Sequence, residues 1–322
     1  MSAVPARALV LTAGLGTRLQ PLTLARAKAA APVDGEPLAR RTIRWLVGHG
    51  VSDLVLNLHY KPESITGSVG DGEDLGARVR YSWESPVLGS AGGPRHALPL
   101  LLDRAGSRTF VLVNGDTLTN VDLSSMAEQH RQSGALVTMA VIPNPRPDKY
   151  GGVVLDADHA VTGFTRRLSR ESSKEGSAEP SFHFIGPQIV EADVFAPLED
   201  RVPAETVVGI YPKLIAARRG AVMGFVSDAA FQDIGTPADL LQTSLDLAAA
   251  AGRPDRPRWG RNARVDPSAR VTRSELWDDV TVGAGAVLTE CVVADGVEVP
   301  AGAVYTRCAL VRTSSTLQAT GL

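Results

Sequence analysis

The residues of this 322-residue chain whose types and spacing suit chemistry are two glycines, two cations and an aspartate. Gly14 and Gly16 flank Leu15, Arg18 follows closely, and Lys28 comes ten residues after Arg18. Glycines at such a spacing allow positive φ and a close approach of backbone to a ligand. A turn that leaves a strand also presents N–H groups that can close around a phosphate. Ala13, Gly14, Gly16 and Thr17 would line that turn. Arg18 would offer phosphate oxygens a planar fork of donors, and Lys28 a point charge. Asp116 ends the apolar run Phe110-Val111-Leu112-Val113-Asn114-Gly115. At the C-terminal end of a central parallel strand it would stand at the mouth of the sheet, where ligands bind. A lone GxG is as well explained by an ordinary tight turn, so the weight rests on the longer string. That string lacks the GK[ST] ending of a Walker loop and the third glycine of a dinucleotide fingerprint.

The elements that must hold these residues follow from hydrophobic patterning. Ala8 to Leu11 is a buried strand, Pro37 to His49 a helix with Leu38, Ile43, Leu46 and Val47 on one face, and Val51 to Leu58 a second strand. Strand, helix, strand within about 50 residues is a βαβ unit and predicts a parallel sheet. Further strands are expected at Val79 to Glu84, Phe110 to Val113, Leu136 to Ile142, Val153 to Leu155 and Val222 to Val226. Helices are expected near Pro62 to Val69, Ser124 to Ser133 and Tyr211 to Arg218. Leu88-Gly89-Ser90-Ala91-Gly92-Gly93-Pro94 reads as a loop of small residues that lets backbone approach a flat ligand, followed by helix to Leu102. Thr236-Pro237 reads as N-cap and first residue of a helix from Ala238 to Ala251.

Residues 252–262 form a linker rich in Pro, Arg and Gly, and beyond it the texture changes. Val265 to Val271, Val280 to Val287 and Val297 to Val304 alternate apolar positions with small residues and turns at intervals of roughly six residues, the pattern of a hexapeptide β-helix. Thr313 to Leu322 is expected to fray. The domain reading is 1–251, a linker, and a short β-helix with its tail over 263–322.

Composition narrows the function classes. An apolar fraction of 44% and a charged fraction of 21% are those of a globular protein. A net charge of −2 gives no bulk attraction to nucleic acid or to an anionic membrane. No apolar run reaches the roughly 20 residues that span a bilayer, and Met1 to Arg7 lacks a signal-peptide pattern. Cys291 and Cys308 have no CxxC spacing, so a disulfide framework is not expected and a reducing cytoplasm is the default location.

Gly14-Leu15-Gly16-Thr17-Arg18-Leu19-Gln20-Pro21-Leu22-Thr23 with Lys28 resembles the signature of the sugar-phosphate nucleotidyltransferases. Phe231-Gln232-Asp233-Ile234-Gly235-Thr236-Pro237 is similar to a second family motif. The resemblance covers about residues 7 to 250 and implies a Rossmann-like α/β domain with a mixed, mostly parallel sheet. The tail resembles the left-handed β-helix appendages of several members, whose open ends call for a partner subunit and hence a homo-oligomer. The implied reaction joins a nucleoside triphosphate to a sugar 1-phosphate and releases pyrophosphate. The resemblance gives Arg18 and the loop amides to the β- and γ-phosphates, Lys28 to the α-phosphate and the incoming phosphate, and Asp116 and Asp233 to a Mg²⁺ ion.

Gly89 and Ser90 match the loop that borders the nucleoside, with serine for the family's threonine. Glu84 stands where the family places a base-reading polar residue. A carboxylate can accept two hydrogen bonds from guanine, which tilts the expectation toward GTP. An exposed glutamate at a strand end fits the same position. Gly115, Gly151, Gly152, Arg167 and Gly186 match the sugar side. Three departures stand out: Ala27 for the family's proline before the lysine, Arg166-Arg167 where relatives carry Glu-Lys-Pro, and no asparagine before Gly186. The substrates expected are GTP with mannose 1-phosphate or a related sugar, with UTP or dTTP and glucose-type or N-acetylated sugars as alternatives. A non-catalytic regulatory homologue that binds nucleotide sugar is the competing class. An acyltransferase in the tail is disfavoured, because no histidine follows His183.

Overall fold

β1 (Arg7–Leu11) is apolar from Ala8 to Leu11, as a strand covered on both faces must be. The computed structural model describes residues 4–102, 108–165, 181–313 and 316–322. The chain divides into two compact units interleaved in sequence. Met1–Gly14, Ile43–His59 and Gly70–Phe231 form the first, and Leu15–Thr42, Tyr60–Val69 and Gln232–Leu322 the second.

The first unit is built on one nine-stranded sheet. After β1 its strands are β2 (Asp53–Leu58), β3 (Arg78–Trp83), β4 (Thr109–Asn114), β5 (Val137–Pro143), β6 (Gly152–Leu155), β7 (Val161–Thr165), β8 (Phe182–Glu191) and β9 (Val222–Val226). β4, β1, β2 and β3 run parallel in that order. The long strand β8 lies antiparallel to β4 and β5, and β9 runs parallel to β5. The sheet is therefore mixed, with a parallel centre. Its heart is apolar: Leu9, Val55 and Leu112 are fully buried, and each such side chain contributes about 1.5–3 kcal/mol. Because the four central strands are parallel, their C-terminal ends open on one edge. Thr12, His59, Glu84 and Asp116 follow those ends.

The helices are α1 (Leu38–Gly48), α2 (Pro62–Val69), α3 (Gly89–Leu101), α4 (Leu123–Ser133), α5 (Tyr211–Ala217) and α6 (Pro237–Ala250). α3 begins earlier than the sequence reading has it, because the glycine-rich stretch is its first turns rather than a loop. The reason is local. First-turn N–H groups have no partner within a helix. Those of Ala91 and Gly92 donate to the Ala204 carbonyl at 2.9 and 3.1 Å.

In the second unit, the stretch after the glycine turn folds as three short 3₁₀ turns, Thr17–Leu19, Leu22–Leu24 and Lys28–Ala30. α6 starts at the expected cap: Thr236 accepts from the Asp239 N–H, and the Asp239 carboxylate accepts from the Thr236 N–H, a reciprocal capping box. Beyond it the chain coils as a parallel β-helix. Arg264 pairs with Thr281 and Thr281 with Glu298, Arg270 with Val287 and Val287 with Val304, Glu275 with Val292 and Val292 with Ala309. Each coil advances by 17 residues, as in the bond from Gly285 N–H to the Ser268 hydroxyl. Leu276, Val282, Leu288, Val293 and Leu310 fill its interior.

The tail does not fray. Thr316–Gly321 returns antiparallel along Cys308–Thr313. Backbone pairing rather than apolar burial holds it, since most of Thr316–Gly321 is exposed. Both thiols are free, with Cys291 buried.

Candidate active site

β1 ends against β2 through one buried side chain. Asn57 accepts at Oδ1 from the Thr12 N–H at 2.6 Å and the Ala13 N–H at 3.3 Å, and donates from Nδ2 to Glu84 Oε1 at 2.7 Å. The other Glu84 oxygen accepts from the Leu88 N–H at 2.9 Å. Thr12, Asn57 and Glu84 are 5, 3 and 1% exposed. A closed chain of polar groups in a low-dielectric interior fixes every member of it. It ties the start of the glycine turn to the start of α3.

This geometry bears on two of the expected site residues. Glu84 is turned inward, with both oxygens occupied by the chain's own donors. Ala13 gives its N–H to Asn57. Asn57 was not singled out from the sequence, although an amide inside the apolar strand Leu54-Val55-Leu56-Asn57-Leu58 is the kind of buried polar group that needs such partners.

The glycine turn is open. Gly14, Leu15, Thr17 and Arg18 are exposed and Gly16 is half-buried. Gly14 does not adopt positive φ, contrary to expectation; nothing lies within 4 Å of where its Cβ would be. Gly16 has φ +62°, and a Cβ there would come within 2.9 Å of Thr23 and 3.1 Å of the Lys28 side chain. Gly16 thus lets the turn close down on Lys28. Within the same unit a Cβ at Gly235 would lie 3.0 Å from Arg18 Nη1, 3.2 Å from Asp239 Oδ2 and 3.4 Å from Asp233 Oδ2. The bare backbone at Gly235 brings the Arg18 guanidinium beside two carboxylates, so Arg18 and Asp233, 215 positions apart in sequence, do converge.

Gly89 and Ser90 behave otherwise. A Cβ at Gly89 would meet Glu205 Oε1 at 2.5 Å and the Ala204 carbonyl at 2.7 Å, and one at Gly92 would meet the Val202 carbonyl at 2.6 Å. The Ser90 N–H donates to Glu205 at 3.2 Å, and its hydroxyl sits 3.0 Å from that of Thr206. The bare side of this stretch is filled by the chain's own segment 202–206.

On the sugar side, a Cβ at Gly115 would lie 2.6 Å from the Leu11 carbonyl. Gly151 and Gly152 face Thr165, at 2.8 and 2.5 Å. Gly186 is also tightly placed. It has φ +110° where the register of β8 shifts between Phe184 and Gln188, and a Cβ there would strike Thr117 Oγ1 at 2.6 Å. The Thr117 hydroxyl oxygen is buried and finds no hydrogen-bond partner among the described residues. It follows directly on Asp116.

Nearby in sequence to Gly186, His183 stacks on Tyr150 with centroids 4.1 Å apart and meets Phe231 edge-on at 4.8 Å. Burial lowers the His183 pKa below its ordinary value, as suits a packing histidine. Arg167 lies outside the described residues. Asp116 belongs to the first unit and Asp233 to the second.

Mg²⁺ usually takes one or two carboxylates and completes its shell with waters and substrate phosphates. Asp116 and Asp233 supply that kind of hard oxygen. Among the described residues no group of three or more His, Cys, Asp and Glu could hold a metal ion. Among the described residues no helix is long and apolar enough to cross a membrane.

The Mycobacterium tuberculosis mannose-1-phosphate guanylyltransferase is 28% identical over 310 residues, covering 87% of this chain and 82% of that protein. The Arabidopsis thaliana mannose-1-phosphate guanylyltransferase 1 is 29% identical over 285 residues, covering 88% and 74%. HddC from Yersinia pseudotuberculosis shares the fold at a TM-score of 0.63 and 22% identity, over 76% of this chain and all of that one. The sequence model described as Nucleotidyl transferase matches residues 7–250, from the first strand to the end of α6, and the chain belongs to that family of nucleotidyl-transferring enzymes.

Proposed function

We propose that this enzyme transfers a guanylyl group from GTP to mannose 1-phosphate or a closely related sugar 1-phosphate, giving the nucleotide sugar and pyrophosphate. The observation that carries the reading is the open turn at Gly14–Arg18, closed at one end on Lys28 and at the other presenting Arg18 beside Asp233. In-line attack on the α-phosphorus builds negative charge on the transferring group and on the departing pyrophosphate. Catalysis is then positioning and charge stabilisation. Arg18 and the exposed loop amides take the β- and γ-phosphates. Lys28 holds the α-phosphate and the incoming sugar phosphate together. By the family resemblance, Asp116 and Asp233 would each offer a carboxylate to Mg²⁺, which would supply neutralisation of polyphosphate charge. No general base is needed, because a sugar phosphate is already an anion at neutral pH.

The choice of GTP rests on the relatives' names, since Glu84 is committed to Asn57 and Leu88. The sugar is read at Gly186 and Thr117, where bare backbone meets an unpaired hydroxyl. Homo-oligomerisation through the β-helix belongs to the same proposal, supported by Val304, 68% exposed in the last coil. A cytoplasmic setting is supported by the two free thiols.

The test is pyrophosphate release from GTP, UTP, dTTP, ATP and CTP, each against a panel of sugar 1-phosphates, with Mg²⁺ and with EDTA. Metal-dependent turnover of GTP with mannose 1-phosphate, far above every other pair, is the expected result. Turnover of another pair alone overturns the substrate assignment. Silence across the matrix, with a nucleotide sugar still raising the melting temperature, makes the chain a regulatory homologue.

A further inference from the structure

The stretch that carries Lys28 has little internal support. Its three 3₁₀ turns are each three residues long, and such turns have poorer hydrogen-bond geometry than α-helix and rarely persist alone. Ties from other segments add to it. Three stand out among the described residues, and two of them are modest: the Ala27 N–H donates to the Ser64 hydroxyl at 3.0 Å, and Tyr60 donates to the Thr23 carbonyl at 3.0 Å.

The third is much stronger. Arg26, two residues before Lys28, donates from Nε to Asp295 Oδ2 at 2.5 Å, and from Nη2 to Asp295 Oδ1 at 2.6 Å and Asp278 Oδ2 at 2.7 Å. Its guanidinium carbon lies 5.9 Å from the ring centroid of the fully buried Trp277. The Arg26 and Asp278 side chains are 15 and 12% exposed. Asp278 and Asp295 occupy equivalent positions in consecutive coils, 17 residues apart, and the Asp278 N–H donates to Asp295 Oδ1 at 3.1 Å. Arg261 adds a second guanidinium on Asp278 at 3.0 Å. A bidentate fork on two half-desolvated carboxylates is among the stiffest polar contacts a protein can make.

We propose that Arg26, Asp278 and Asp295 are positioning residues, through which the β-helix holds the backbone that presents Lys28. The coil stack then sets turnover, in addition to any role it has between subunits. The inference rests on the reading of Lys28 as a phosphate-binding cation.

Four measurements test it. Arg26→Gln is expected to lower kcat by roughly 10- to 100-fold, as a small misplacement of a catalytic group does, with the KM for the nucleotide nearly unchanged and the protein folded at the assay temperature. Asp295→Asn, which keeps Asp278, gives a smaller loss in the same parameter and serves if Arg26→Gln does not fold. In a Lys28→Ala background, Arg26→Gln should cost little further activity, because both changes remove one function. Full additivity, or a lowered melting temperature with kcat within about twofold of wild type, overturns the proposal. Amide exchange over residues 27–31 gives a readout that needs no turnover: it should accelerate in both clamp variants. Unchanged exchange sinks the clamp whatever the enzyme's substrates, whereas a wild-type protein silent in the substrate matrix sinks only the reading of Lys28.

Discussion

Two glycine-bearing stretches, Gly14–Arg18 and Gly89–Gly93, look alike in sequence and do opposite things. Each follows a parallel strand by a few residues, each mixes small and polar side chains, and each suggests backbone laid bare for a ligand. At Gly14 the space where a side chain would stand is empty, while at Gly89, Gly92 and Gly93 it is filled, by Glu205, by the Val202 carbonyl and by Glu84 Oε1. The first stretch leaves the space at Gly14 open. The second is bare because another part of the chain is already there. What separates them is the segment 202–206, which is about 110 positions away in sequence from the glycines it covers.

The widest test of this contrast is the cation at the open turn. Arg18→Ala is expected to lower kcat by about 10²–10³-fold, the range for removing one preorganised charge donor from a transition state. Because Arg18 is exposed, its melting temperature should stay near that of wild type. A variant that unfolds would show Arg18 to be a structural link to α6. A variant that turns over normally would remove the open turn from the chemistry.

A matched pair of alanine substitutions follows. Gly92→Ala places a methyl 2.6 Å from the Val202 carbonyl and 3.1 Å from Leu88, so denaturant melts should show a loss of about 1–3 kcal/mol, the usual cost of overpacking. Gly14→Ala should cost no more than about 0.5 kcal/mol, as an exposed change without close neighbours does. Its effect should instead be a raised KM for the nucleotide. If Gly92→Ala is neutral in stability and raises that KM, the two stretches are alike after all and the contrast fails.

How much of this was legible follows from where the signal lies. Buried parallel strands announce themselves as apolar runs, so Ala8–Leu11 and Phe110–Val113 were found almost to the residue. The Thr236-Pro237 cap was readable because its partner Asp239 is three residues away. The coil texture was visible as small and apolar residues at near-regular spacing. The true period of 17 shows in the strand pairing, and again in Asn262, Asp279 and Gly296 at one positive-φ corner and Arg273, Glu290 and Arg307 at another. Glu84 was illegible because a carboxylate at a strand end has the same sequence whether it points out to a base or inward to Asn57. The Arg26 clamp was hidden for a related reason: Asp278 and Asp295 become neighbours only through the coil period. The tail hairpin carried no apolar pattern, since its ladder is backbone.

The finest test concerns Ser90, which keeps the family's hydroxyl yet spends it inside the chain. Its N–H and hydroxyl hold Glu205, and its hydroxyl also accepts from the Thr206 N–H at 2.9 Å. Removing a hydroxyl of this kind costs about 0.5–1.5 kcal/mol when its partners can turn to water. Glu205 is exposed and can do so, whereas Thr206 is 5% exposed and cannot. Ser90→Ala should therefore lower stability by about 1 kcal/mol and leave the nucleotide KM within about twofold of wild type. A KM that rises tenfold with stability intact would put the hydroxyl back on the nucleoside. The packing against 202–206 would then describe a conformation that opens when nucleotide arrives. The two outcomes differ in which quantity moves, so a pair of melts and a pair of saturation curves decides between a serine that braces α3 and a serine that reads a substrate.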